Sequence, residues 1–230
     1  MTTAVTKDRS ARLPRAVFVI AAIAVVGMLA WSIVRWPDMA AQIVTRESDG
    51  RHGTSVVNRE VTAVAMPIVL VVMTVLLAVA PTLDAKLMAG IRRTSASGRR
   101  ASARVLGAFV IGLCVLFPAL HVVFVSLQTG EDLAVTSIVG AAAGVLLVIL
   151  GVYLPLARPD GETFSAVEES FRAALGPASR LGGVALILVG VAVFVAALAV
   201  PAAAVFVASG GVVLVFGGIA VSAVLRMRRA

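Results

Sequence analysis

Five stretches of the chain contain no Asp, Glu, Lys or Arg, and between them lie short polar segments. They are Ala16–Val34 with 19 residues, Val61–Leu83 with 23, Val105–Gly130 with 26, Leu133–Ala157 with 25 and Leu181–Leu225 with 45. A helix that crosses a bilayer needs about 20 mostly apolar residues, at about 1.5 Å rise each. The first four stretches each predict one such helix. The last is too long for one span. Pro201 sits near its middle, and proline both lacks an amide hydrogen and disfavours helix in the residue before it. The run therefore divides into helices at about 181–199 and 202–225. The pattern predicts an all-α, polytopic membrane protein with six transmembrane helices.

The polar segments set the orientation. Lys7, Arg9, Arg12 and Arg15 precede the first span. Arg35, Arg46, Arg51 and Arg59 lie in the first loop, and Lys86, Arg92, Arg93, Arg99, Arg100 and Arg104 in the second. The third loop, at Glu131 and Asp132, has no basic residue, and neither has the turn at Pro201. Arg158, Arg172 and Arg180 lie in the fourth loop, and Arg226, Arg228 and Arg229 at the C-terminus. Alternate segments thus carry sixteen basic residues on one side and four on the other. The positive-inside rule places the richer side in the cytoplasm, with both termini there. A basic leader before an apolar run also resembles a signal peptide. The run is long enough to span and no convincing small-x-small cleavage site follows, so a retained first helix is expected.

This organisation divides the chain into five parts. Residues 1–15 form a basic cytoplasmic N-terminus, and 16–83 a first helical hairpin with an outer loop at 35–60. Residues 84–104 form a basic cytoplasmic linker. Residues 105–225 form a four-helix region with an inner loop at 158–180, and 226–230 a basic C-terminus.

Composition agrees with the pattern. The chain has 230 residues, is 60% hydrophobic and only 14% charged, and its mean hydropathy is +1.04. Soluble domains are about 45–50% apolar and about 25% charged, so the bilayer must solvate most of this chain. The net charge of +8 would suggest nucleic acid for a soluble protein. Here the basic residues flank spans, where they set topology and meet anionic lipid, and no direct nucleic-acid binding is expected. Cys114 is the single cysteine, so no intramolecular disulfide or Cys-based metal spacing exists.

Two loops are long enough to carry function. The outer loop, Arg35–Glu60, offers Trp36, Pro37, Asp38, Asp49, Gly50, Arg51 and His52 as candidate binding residues. Its centre, Glu47–Gly53, is rich in turn formers. In the inner loop, Phe164, Val167, Phe171 and Leu175 follow helical spacing, with Glu162, Glu168, Glu169 and Arg172 on other faces. This predicts a short amphipathic helix on the inner membrane surface or against the inner ends of the bundle. The second loop, Ile91–Arg104, reads as a flexible basic, Ser-rich linker.

The span interiors hold almost no ionisable group, whereas ion-coupled pumps usually place Asp, Glu, Lys or Arg at depth. The exception is a stripe in the third span: Gly107, Cys114, His121 and Gln128, seven residues apart and so within about 20° of one face. Two readings stand. Cys114, His121 and Gln128 line a cavity, or they face the bundle and His121 hydrogen-bonds a neighbouring helix. The second is the more ordinary arrangement. Pro67, Thr74 and Pro81 repeat at the same interval in the second span. Gly140-Ala-Ala-Ala-Gly144, Gly151, Gly183, Gly190, Gly210, Gly211, Gly217 and Gly218 predict close helix packing. No phosphate-binding glycine loop, metal cluster or nucleophile motif occurs, and no catalytic residue, metal or cofactor is assigned. An intramembrane protease would pair Ser with His or two Asp, and the sequence offers His121 without an evident nucleophile.

Several of these segments resemble the SdpI family of bacterial membrane proteins, including the small N-terminal domain of unknown function that often precedes the SdpI-type region. Trp36-Pro37-Asp38 resembles the turn after that domain's first helix, and Asp49-Gly50 its Gly-rich turn. The family's His-Trp pair is missing near Ile43-Val44. Gly151-Val152-Tyr153-Leu154-Pro155 resembles the motif Gly-Asn-Tyr-Leu-Pro, without the Asn. The Arg-Thr-Pro-Trp-Thr stretch is absent. Ser165, Glu168 and Phe171 stand in the place of a Ser-x-x-Glu-x-Trp segment, and Arg180-Leu181-Gly182-Gly183 matches Arg-Leu-Gly-Gly. The resemblance covers most of the chain at low density.

The resemblance implies a membrane immunity or signalling role, in which the protein protects against a secreted, membrane-active toxin and holds a cytoplasmic repressor at the membrane. The implied partners are membrane lipids, a toxin at the outer loop, and a cytoplasmic regulator at the basic inner loop and the Phe164–Leu175 helix; Tyr153, Pro155, Phe164, Phe171, Arg180, Gly182 and Gly183 are the candidate inner-face residues of the family motifs. The implied location is the plasma membrane. A solute transporter and a structural membrane subunit are the alternative readings.

Overall fold

A computed structural model describes residues 13–46, 55–87, 96–156 and 166–227. Side chains are described except at 45–46, 84–87, 96–97, 166–175, 223 and 226–227. Among the described residues the chain is all-α apart from one small hairpin, and it is a multi-pass membrane protein. Six helices are long and apolar enough to span: α1 (Arg15–Arg35), α2 (Arg59–Leu87), α3 (Ala96–Thr129), α4 (Val135–Tyr153), α5 (Ala166–Ala199) and α6 (Pro201–Met227). The division at Pro201 is where the sequence puts it. Proline occupies the first position of α6, where its missing amide hydrogen costs nothing. Val200 N–H still bonds Ala196 O at 2.7 Å, which closes α5.

Three boundaries differ from the sequence expectation. The basic linker does not stay irregular to Arg104: α3 begins at Ala96, so its basic first turns extend the span. The inner amphipathic segment is not a separate helix, because Ala166–Ala199 is one continuous helix through Pro177. The charged residues there end the apolar run without ending the helix. The described parts of the outer loop also carry regular structure. A 3-10 turn at Trp36–Asp38 leads into β1 (Gln42–Arg46), which pairs antiparallel with β2 (Ser55–Asn58). The register places Ile43 opposite Val57 and Val44 opposite Val56, with an irregularity between Val44 and Arg46.

The six helices pack as two neighbouring groups. In the first, α1 and α3 run in the same direction, with α2 antiparallel to both. Val17, Ala21 and Val110 form one core cluster, and Met28, Leu70 and Leu113 a second. In the second group, α4 and α5 approach through paired glycines. A Cβ at Gly144 would lie 2.7 Å from Gly190 O, and one at Gly190 would lie 2.7 Å from Gly144 O. Gly151 and Gly183 repeat the relationship at 2.7 Å each way. The backbones therefore touch at two levels one heptad apart, with Gly140 against the Ala197 side chain beyond them. Lipid gives helices no hydrophobic reason to associate, so contact this close is what holds them together.

Candidate functional site

Every described buried polar side chain lies in the first group: Ser32, Thr62, Thr74, His121, Ser126 and Gln128. All except Thr74 sit in its outer half, beneath the hairpin. The site is built on the stripe of α3. Gly107 admits Val17 of α1, and Cys114 packs against both core clusters. His121 is fully buried, with Nε2 2.8 Å from Ser32 Oγ and 2.9 Å from Met28 O. Gln128 donates from Nε2 to Thr62 Oγ1 at 3.0 Å and to Val57 O at 3.3 Å. Two other grooves in the protein are lined by other residues.

The hydrogen-bond inventory fixes the roles. A carbonyl only accepts, so the contact with Met28 O places the imidazole proton on Nε2. Ser32 Oγ accepts from the same N–H, and its own O–H points to Ala63 O at 3.4 Å. The Ala63 carbonyl is the one that Pro67, four residues on, leaves without its helical donor. One polar chain thus links α3, α1 and α2 where a proline interrupts the helical ladder. Ser32 is the residue that sequence reasoning missed, since a lone serine in an apolar span has no periodic signal. Its approach to His121 has the spacing of a nucleophile and base. With the proton on Nε2, however, the ring presents no basic nitrogen to Ser32. Its Nδ1 has no protein partner, and neither has Gln128 Oε1.

The outer cap is fastened to the ends of α1 and α3. Gly130, at φ +71°, closes α3 in a conformation that favours glycine. Glu131 N–H bonds Ser126 O at 3.0 Å and Gly130 N–H bonds Leu127 O at 3.4 Å, the paired bonds of a Schellman ending. This turn carries Glu131 to Arg35 at the end of α1, where the two form an ion pair. Arg35 also reaches Thr129 Oγ1 at 3.3 Å and lies 5.8 Å from the Trp31 ring. Ala40 N–H bonds Gln128 O at 2.8 Å, and Arg59 N–H bonds Ala41 O at 3.1 Å. The Arg59 guanidinium lies over Trp36 at 4.7 Å, and its Nε donates to Glu60 at 3.4 Å.

Of the candidate outer residues, Trp36, Pro37 and Asp38 form the 3-10 turn. Asp38 is exposed, 3.9 Å from Arg35. Asp49, Gly50, Arg51 and His52 lie outside the described residues. Outward on the hairpin are Val44 and Val56, directly opposite each other and exposed. They were not among the expected site residues.

The inner candidates divide similarly. A Cβ on Gly183 would lie 3.0 Å from the Pro155 ring, and one on Gly182 would meet Ile219 and approach Leu154 Cδ2 at 3.6 Å. Pro155, Gly182 and Gly183 are therefore brought together, with Tyr153 half-buried beside them and Arg180 exposed. Phe171 lies on α5, though its side chain is not described, and Phe164 falls outside the described residues. Among the described residues no group of three or more His, Cys, Asp and Glu gathers as a metal site. Comparison with protein-family models, curated proteins and solved structures finds no match to this chain.

Proposed function

We propose that this chain is a non-enzymatic immunity and signalling protein of a bacterial plasma membrane. It meets a secreted, membrane-active toxin at its outer hairpin and a cytoplasmic repressor at its inner face. The reading rests on the resemblance of Trp36-Pro37-Asp38, Gly151–Pro155 and Arg180–Gly183 to the SdpI family. One structural observation supports it above the others. The outer segment is a hairpin docked on α3 through Gln128 and Ala40, presenting the Val44–Val56 pair to the outside. This exposed cross-strand pair is the apolar surface that the described hairpin offers a partner. At the inner ends, the contact of Pro155 with Gly183 supports a fixed inner surface for a regulator.

The test is survival. Cells lacking the gene are challenged with concentrated supernatant from the parent culture. Killing of the deletion strain alone, reversed by the gene, supports immunity. Equal growth of both strains contradicts it.

A second reading, a subunit that packs against a membrane partner, is favoured by α6. A Cβ at Gly210, Gly217 or Gly218 would meet nothing within 4 Å. Copurification of one stoichiometric membrane protein, lost on replacing these glycines by leucine, would favour it.

A further inference from the structure

We propose that the cleft between α1 and α2 is a binding site for one phospholipid of the outer leaflet, with its phosphate at Arg59. The cleft has a volume of about 270 Å³ and is lined by Val25 and Leu29 of α1 and by Val64, Pro67, Ile68, Val71 and Val72 of α2. Every lining side chain is a hydrocarbon. Pro67 forms part of its floor, because its ring is buried while Val64, Ile68, Val71 and Val72 stand exposed around it.

Depth identifies the occupant. The cleft runs from Val64 to Val72, about 12 Å along the helix axis at about 1.5 Å per residue. One leaflet contributes about 15 Å of hydrocarbon, half of the bilayer core. α2 begins its span at Arg59, the end that the distribution of Lys and Arg places on the outer side. The cleft therefore occupies the outer leaflet and matches an acyl chain in length as well as chemistry.

The outer mouth supplies the other half of an amphiphile site. One turn above Val64 stand Glu60 and Arg59, and two turns above Leu29 stands Trp36. Arg59 and Trp36 are held together at 4.7 Å, and both are half-buried. An indole at the interface above an apolar cleft favours a lipid glycerol region. A guanidinium beside it recognises a phosphate by charge-assisted hydrogen bonds. The exposed Glu60 carboxylate bonds Arg59 only through Nε, and such an exposed pair is weak. A helix from a second copy or an apolar peptide would also fill the cleft, but neither brings a phosphate to Arg59.

Native mass spectrometry of the full chain in detergent tests this. The probes are phosphatidylglycerol and a galactosyl diacylglycerol with the same acyl chains. The expected result is one phosphatidylglycerol retained under activation that strips the galactolipid. Arg59→Gln should weaken phosphatidylglycerol about tenfold, the scale of one charge-assisted hydrogen bond, and leave the galactolipid unchanged. Val64→Trp, which fills the cleft, should release both lipids, and Val205→Trp, an exposed site on α6, should release neither. Equal retention of the two lipids overturns the phosphate assignment. Unchanged retention in both Arg59→Gln and Val64→Trp overturns the site. A dimer that Val64→Trp disperses and phosphatidylglycerol does not would assign the cleft to a second copy instead.

Discussion

His121 Nε2 lies 2.8 Å from Ser32 Oγ, across 89 residues of sequence and inside the membrane-spanning bundle. Each meets the other and a carbonyl, Met28 O for the imidazole Nε2 and Ala63 O for the hydroxyl. Removing one partner leaves the other with its carbonyl contact alone. We expect Ser32→Ala and His121→Leu each to lower stability, with a double-mutant coupling of about 0.5–1.7 kcal/mol, the range for hydrogen bonds between membrane helices. Unfolding in mixed micelles measures it. Additive losses would show that the pair is not coupled.

The Gly144–Gly190 and Gly151–Gly183 pairs make a sharper prediction. A side chain at Gly144 meets backbone on both sides, Gly190 O at 2.7 Å and Phe194 N at 2.8 Å. Backbone cannot rotate away as a side chain can. Gly144→Val should cost roughly 1–3 kcal/mol, typical of overpacking, and should separate α4 from α5. Gly27, where an added Cβ meets nothing within 4 Å, should tolerate alanine with little change in the thermal midpoint. Fluorescence-detected thermal melts of the two variants compare them directly.

Arg35 and Glu131 tie the end of α1 to the turn that closes α3. The pair is partly screened, with side chains 23% and 41% exposed. Arg35→Glu should therefore cost about 1 kcal/mol or somewhat more, through repulsion and loss of the Thr129 contact. The exchange Arg35→Glu with Glu131→Arg should recover most of it. Proteolysis of the outer segment in sealed vesicles reports the loosening and its rescue. Equal protection in all three proteins would show that the ion pair does not hold the cap.

The orientation has its own test. In a Cys114→Ser background, Val56→Cys on the hairpin should react with a membrane-impermeant maleimide in intact cells. Ser102→Cys at the inner end of α3 should react only after the cells are opened. The reverse pattern would invert the topology derived from Lys and Arg.

The spans were legible because hydrocarbon length and loop charge are one-dimensional properties of the chain. Pro201 was legible because proline acts on its own neighbours. Helix ends were less so: α3 and α5 run on through Arg, Glu and Pro177, since charge ends an apolar run but not a helix outside the bilayer. The hairpin escaped notice because its strands are brief and its turn formers suggested only an open loop. The stripe of α3 was readable from its seven-residue repeat, but Ser32 was not. What makes Ser32 matter is a proline on α2 and a histidine on α3, and only folding brings the three together.

The proposed role is tested most directly by membrane potential. Cells lacking the chain, and the same cells carrying it as wild type or as Val44→Asp/Val56→Asp, are exposed to supernatant of the parent culture. The predicted result is that only the wild type holds its potential, while the double variant is inserted normally but depolarises. If cells with and without the chain respond alike, the immunity role is contradicted.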